Sequence, residues 1–346
     1  MPSLTRRQLL VSLPALGTLV ASPFKVALSG QAGSPTIRVR SLNHFEIAVA
    51  DPKRTIDFYQ GLFGMPVQAR VGPTTILRVG AGPQFLSIRP VEGNTTPRIT
   101  HYGLGVEDFT VDRIMTTLAA HGVAKANTVG PMKVSVTMRD DNPGLLFGDP
   151  DGIVCQLLDV SYCGGAGPFG NRCPAPEAPA KKGLIALTDL SHLTIFSGNP
   201  QHSNMFYRDL FGFSIRSYQG PTAPTLAVGP TVQFLMFAGG GAGARAGAPT
   251  TPRPATINHA CWSVDSFKPD DILKTLESYG LKGREGVQGP AGPLRHYVTM
   301  RMENRGGAPG GTPELYFTDP DGLLMQLQDT SYCGGSGFLG NECPTA

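Results

Sequence analysis

Residues 149–165 read DPDGIVCQLLDVSYCGG, and residues 319–335 read DPDGLLMQLQDTSYCGG, an offset of 170 positions. The match runs on to a second cysteine in each copy, pairing Cys163 with Cys173 and Cys333 with Cys343. The stretch fixes the fold because DPDG is a turn signal that feeds a short apolar strand. A turn and strand repeated at this distance mean one structural unit built twice.

Working outward, the repeat divides again. Two helix candidates share one design: DPKRTIDFYQGLFG, with Asp51 as N-cap, Pro52 at the first position and Gly64 as the stop, and NPQHSNMFYRDLFG, with Asn199, Pro200 and Gly212 in the same roles. Two more, EDFTVDRIMTTLAAHG and DSFKPDDILKTLESYG, end at Gly122 and Gly280. Each follows a short strand, at 43–50, 100–106, 191–196 and 258–264, and each precedes β-like runs such as TTILRVG, QFLSIRP, KVSVTMR and IVCQLLD. The chain therefore reads as α+β, four βαβββ modules in two pairs. The expected boundaries are 40–165 for the first paired domain, 166–186 for a Pro/Gly-rich linker, 187–335 for the second domain and 336–346 for a tail.

Bulk properties agree with two modest domains. The 346 residues are 40% hydrophobic, enough to fill a core. A net charge of +3 with scattered Lys and Arg excludes a nucleic-acid partner. Residues 1–33 read as a targeting segment. Arg6-Arg7 precedes an apolar run from Leu9 to Val20 that is too short to span a bilayer and resembles a Tat export signal. The expectation is a periplasmic or secreted protein that engages the Tat machinery, with no membrane association once the signal is removed. Local cysteine pairs fit disulfides in an oxidising compartment; a four-cysteine metal site is the alternative, against which stands the lack of CxxC spacing. Cys155 and Cys261 lie inside apolar strand patterns and read as free and buried.

Four of the 7 histidines hold one place in four modules: His44, His101, His192 and His259, each early in its strand. Together with DFYQGLFGM, MFYRDLFGF and the two DPDG turns, they make the chain resemble the vicinal oxygen chelate superfamily of glyoxalases, bleomycin resistance proteins and extradiol dioxygenases. The resemblance implies that each pair of modules forms a cup-shaped open β-barrel with helices outside. It also implies metal ligands from the first strand of each module and from the last strand. Those positions give His44, His101 and Gln156 in one cup, and His192, His259 and Gln326 in the other. Metal-binding relatives usually carry glutamate where Gln156 and Gln326 stand. The remaining family position holds Ser87 and Met236, poor partners for a hard ion. A neutral third ligand leaves a divalent ion more positive, hence a stronger Lewis acid but less tightly held.

The resemblance further points to the second half as the catalytic one. Tyr316 stands ten residues before Gln326, where extradiol enzymes place an active-site tyrosine, while the first half has Leu146. His296 is a candidate proton carrier if it faces the cup. No histidine occurs in the segment before His259, where extradiol enzymes usually carry one, which weakens that assignment. Glu46, two residues after His44, is a candidate carboxylate ligand by strand alternation. Arg139 and Arg301 either orient an anionic substrate or pair with Asp140 and Glu303. Gly-rich segments 239–249 and 306–312 occur only in the second half and read as lids or solvated insertions. The function expected is an exported enzyme using Fe, Mn, Cu or Zn, most simply a dioxygenase on a small oxygen-bearing, phenolic molecule. A glyoxalase-like lyase or isomerase and a metal-free sequestering protein are the alternatives. The oligomeric state is open.

Overall fold

A computed structural model describes residues 36–139, 141–239, 254–286 and 290–344. Residues 1–33, expected to be a targeting segment, and most of the 239–249 stretch lie outside the described residues. The first half contains β1 (Val39–Val49), α1 (Pro52–Phe63), β2 (Val67–Val71), β3 (Thr74–Arg78), β4 (Phe85–Pro90), β5 (Arg98–Val106), α2 (Val111–Ala120), β6 (Ala124–Lys125), β7 (Lys133–Arg139), β8 (Asn142–Gly148) and β9 (Val154–Asp159). The second repeats it as β10 (Leu187–Ser197), α3 (Pro200–Phe211), β11 (Ile215–Tyr218), β12 (Pro224–Ala227), β13 (Phe234–Gly239), β14 (Thr256–Val264), α4 (Pro269–Ser278), β15 (Lys282–Gly283), β16 (Arg295–Arg301), β17 (Thr312–Thr318) and β18 (Leu324–Asp329).

Each half is one nine-stranded mixed sheet, in the order β2-β3-β4-β1-β5-β9-β8-β7-β6 in the first and β11-β12-β13-β10-β14-β18-β17-β16-β15 in the second. The two modules of a half meet where their first strands run antiparallel, β1 on β5 and β10 on β14. This seam puts His44 near His101, and His192 near His259, on one sheet face. The alternate residues, Phe45, Tyr102, Cys155 and Trp262, point the other way into an apolar core that both halves share. Cys155 and Cys261 are free and buried.

The cap residues act as their sequence suggests. Asp51 accepts the Arg54 amide, Asn199 accepts the His202 amide, and Gly64 and Gly212 end their helices in the left-handed region at φ 66° and 68°. Gly64 is also needed for space, because the backbone of Gly183 lies against it where a side chain would project.

The helices do not simply coat their own sheets. Phe58 and Phe63 of α1 pack on Phe317 of the second half, and Phe63 also meets Trp262. Phe206 and Phe211 of α3 pack on Phe147 of the first half. The DPDG turns lock this exchange. Asp321 accepts from Arg54 Nη2 at 2.8 Å and Thr55 Oγ1 at 3.2 Å, and Asp151 accepts from Ser197 and Ser203 of the second half. Asp149 and Asp319 tie their own turns through backbone amides and each meet a tyrosine from the opposite helix, Tyr207 and Tyr59.

Beyond β9 and β18 the chain folds into two loops closed by the Cys163–Cys173 and Cys333–Cys343 disulfides. They reach across to the far edge of each sheet. Gly164 abuts Ile76 of β3, and Ser217 of β11 donates to the Cys333 carbonyl at 3.3 Å. Each loop thereby forms a wall of its cup and delivers a tyrosine, Tyr162 or Tyr332, beside the first histidine.

Candidate functional site

The second cup holds a cavity of about 940 Å³ whose lining includes His192, His259, Gln326, Tyr316, Glu314 and Tyr332. His192 on β10 stacks on Phe234 with ring centroids 4.3 Å apart and lies edge-on to His259 of β14 at 5.7 Å. Gln326 Oε1 is 3.0 Å from His192 Nε2. The sequence-derived set of His192, His259 and Gln326 is thus brought together on the cavity wall.

The donor set suits a metal. His259 Nδ1 lies 2.7 Å from Asn258 Oδ1, so Nδ1 carries the proton and the Nε2 lone pair is left free. Burial lowers the proton affinity of His259 to a pKa of about 4. Burial, with His259 nearby, also holds His192 well below the ordinary histidine value. Both rings are therefore neutral at physiological pH, the form that binds a divalent ion.

Tyr316 on β17 lines the cavity, edge-on to His259 at 5.4 Å and stacked on Tyr297. Its hydroxyl donates to Glu314 Oε2 at 3.3 Å, and Arg301 Nε donates to Glu314 Oε1 at 2.9 Å. Burial, then the Glu314 charge, pushes the Tyr316 phenol up. Arg301 is fully buried and also binds the carbonyls of Gly306 and Gly335. Its partner is Glu314 and not Glu303, which corrects the sequence expectation. The same Arg301 contact anchors segment 306–312, where Gly307, Ala308 and Thr312 are buried. That segment is a packed support of the wall rather than a free lid.

His296 does not reach the cup. Alternation along β16 turns Tyr297 toward Tyr316 and His296 to the opposite face, where its Nε2 lies 3.5 Å from Glu277 of α4. The expected proton-carrying role of His296 is therefore set aside. Glu314 and Tyr332 were missed by sequence reasoning, although the repeated SYCGG carried the tyrosine in plain view.

In the first cup His44 stacks on Phe85 at 4.4 Å, and its Nε2 lies 3.4 Å from Nε2 of His101. Gln156 on β9 lies close enough to His44 and Tyr162 to act on the proton affinity of both. A side chain at Gly103 would strike the His44 ring, which explains the glycine two residues after His101. Glu46 is not placed as a ligand between the histidines. It sits behind His101, 3.5 Å from Nδ1, and accepts from Arg89, Ser87 and Thr100. Burial alone would push the Glu46 carboxyl up. Hydrogen bonding and charge from His101, followed by bonds from Arg89 and Thr100, hold it well below the carboxylate range. Among the described residues no group of three or more His, Cys, Asp and Glu converges as a metal cluster; each candidate set depends on its glutamine.

The model of the Glyoxalase family, described as the Glyoxalase/Bleomycin resistance protein/Dioxygenase superfamily, matches residues 41–157 and 189–327. The chain belongs to this superfamily.

Solved members of similar fold include a 2,3-dioxygenase, LapB, from Pseudomonas sp. KL28, with 16% identity and a TM-score of 0.58 over 90% of this chain and 95% of that one. A catechol 2,3-dioxygenase gives 15% identity and 0.56 over 87% and 89%. The Mn(II)-bound glyoxalase from Novosphingobium aromaticivorans gives 17% and 0.53 over 84% and 82%. At such identities the likeness is one of fold. No curated protein matches the chain by sequence. Both halves of this chain carry glutamine at the matching place on their last strands, Gln156 on β9 and Gln326 on β18.

Proposed function

We propose that the protein is an exported, metal-dependent enzyme that works in its second cup on a small molecule with two neighbouring oxygens, most simply as a ring-opening dioxygenase of a catechol. The observation that carries this reading is one cavity wall bearing two neutral imidazoles, an amide oxygen and a Tyr316–Glu314 pair. The dioxygenases and the glyoxalase among the fold neighbours support the class.

His192, His259 and Gln326 would hold the ion. A divalent metal there supplies Lewis acidity toward paired substrate oxygens and lowers their proton affinity. The remaining work belongs to side chains. Tyr316 would take a substrate hydroxyl proton as it passes its own to Glu314, to which it is hydrogen-bonded. Arg301 fixes Glu314 by a buried ion pair and leaves Oε2 for that transfer. Phe196, Phe237 and Met236 supply apolar cover for a ring.

Metal analysis and oxygen uptake test the reading. Protein loaded with Fe²⁺ or Mn²⁺ should bind metal in the second cup and consume O₂ with catechols, and His259→Ala should lose both. Metal binding without oxygen uptake, but with turnover of a hemithioacetal, would favour the lyase class. A metal-free binding role has one observation in its favour: His192 and Gln326 also satisfy each other as a hydrogen bond. Failure to bind any metal would establish that alternative over the enzyme.

Export through the Tat route is part of the proposal, and the two disulfides support it. Replacing Arg6 and Arg7 by lysine should leave the protein in the cytoplasmic fraction; unchanged periplasmic recovery would refute that route.

A further inference from the structure

The second cup has a bridge where the first has only a turn. In the first half Arg139 pairs with Asn142, so β7 turns directly into β8. In the second half the chain leaves β16 at Arg301 and enters β17 at Thr312, by way of a short 3-10 helix, Glu303–Arg305, and a glycine-rich run. Gly306 ends that helix in the left-handed region at φ 74°, and its carbonyl accepts from Arg301 Nη1 at 2.7 Å. A side chain at Gly306 would strike the carbonyl of Tyr218 on β11. β11 is the edge strand at one end of the sheet, and β16 lies at the other end. The segment therefore touches both sides of the cup, and its backbone is fixed at each.

This bridge carries Arg305 to the cavity, where it is the one Lys or Arg on the lining among the described residues. Glu314, the one acid on that lining, is already paired with Arg301 and does not cancel it. Arg305 is exposed, and among the described residues its guanidinium forms no ion pair. A guanidinium presents a planar fork of donors that matches a carboxylate. The cavity is also larger than a bare ring needs. Its volume of about 940 Å³ lies at the upper end of the range, about 300–1,000 Å³, that suits drug-sized ligands. Asn199, Gln201, Gln219 and Thr222 line it as well and offer neutral hydrogen-bonding groups to an extended molecule.

We infer that the substrate of the second cup carries a carboxylate on a side arm, and that Arg305 is the residue that selects it. The inference rests on the second cup being the substrate site proposed above, but not on the metal or the reaction. One guanidinium matches the single charge of a carboxylate. A phosphate would bring a second negative charge with no free cation beside it and with Glu314 on the same lining. Neutral phenols fit the cavity but leave Arg305 without a partner, so they bind more weakly. Because the first half has no such bridge, the selection belongs to the second cup alone.

Calorimetric titration of the full-length protein with dihydrocaffeate, a catechol with a propanoate arm, and with its primary amide tests this. The two compounds differ only at the end of the arm. The acid is expected to bind about tenfold more tightly, the gain from one charge-assisted contact at a partly screened rim. Arg305→Gln should abolish the preference by weakening the acid alone, and Arg305→Lys should restore part of it. Added salt should shrink the acid's advantage and leave the amide unchanged. Equal affinities, equal weakening of both compounds in Arg305→Gln, an acid affinity untouched by that substitution, or no binding of either compound would each overturn the proposal. Oxygen uptake separates selection from reaction. An acid preference without uptake refutes the dioxygenase and supports the selection, while uptake without an acid preference does the reverse.

Discussion

At the scale of single residues, the two glutamines are the telling positions. Gln326 supplies a neutral oxygen where a carboxylate would bind an ion more strongly. Gln326→Glu should therefore tighten metal binding in the second cup by about tenfold or more, since each 1.4 kcal/mol is a factor of ten and a charged ligand contributes at least that much. Competition with a metal indicator would measure it. Glu314→Gln keeps the bond from Arg301 but cannot take a proton from Tyr316. Its expected effect is a fall of about 10²–10³ in kcat with metal content unchanged. Much of this site is legible in the sequence, because four histidines in one register stand out against so few in the chain. Glu314 was not legible. Nothing in GTPELYFT separates it from an exposed strand residue, and its burial depends on Arg301, which lies across the β16–β17 pair.

At the scale of elements, the caps and turns were readable because their chemistry is local. Asp51→Ala should cost about 1 kcal/mol in urea unfolding, the usual loss for an N-cap. The second role of DPDG was hidden, since its partners lie in the opposite half. Thr55 is fully buried and donates to Asp321, and Arg54 also ends there. Asp321→Ala should therefore cost about 1–3 kcal/mol, more than the loss of a surface carboxylate, because it strands a buried hydroxyl. Equilibrium unfolding of the pair Asp321→Ala and Thr55→Val separates the shared bond from the rest.

At the scale of the whole molecule, two acids at the junction set a pH dependence. Burial raises Asp149 to about 6 and Asp319 to about 7, from an ordinary value of 3.8. A raised carboxyl favours the protonated folded state. Its stabilising contribution is full below about pH 4 and lost as pH rises through about 6 to 7. Asp319→Asn removes that dependence, so its melting temperature relative to the natural protein should climb between pH 5 and pH 8. A constant difference would contradict the assignment. The exchanged helices also predict one cooperative melting transition rather than two, checked by agreement of calorimetric and van't Hoff enthalpies. The sequence showed a duplicated chain and suggested two separate domains. It could not show that they share one core, because the contacts that join them link residues far apart.

That exchange has a consequence for the order in which the protein is made. Tyr59 on α1 meets Asp319, which follows it by 260 residues. Most of the chain must leave the ribosome before the first helix finds its final neighbours. Until then Phe58 and Phe63 have no second half to cover them. Folding must thus wait for the last strands to be synthesised, and a nascent chain cut short would expose that helix to chaperones and proteases.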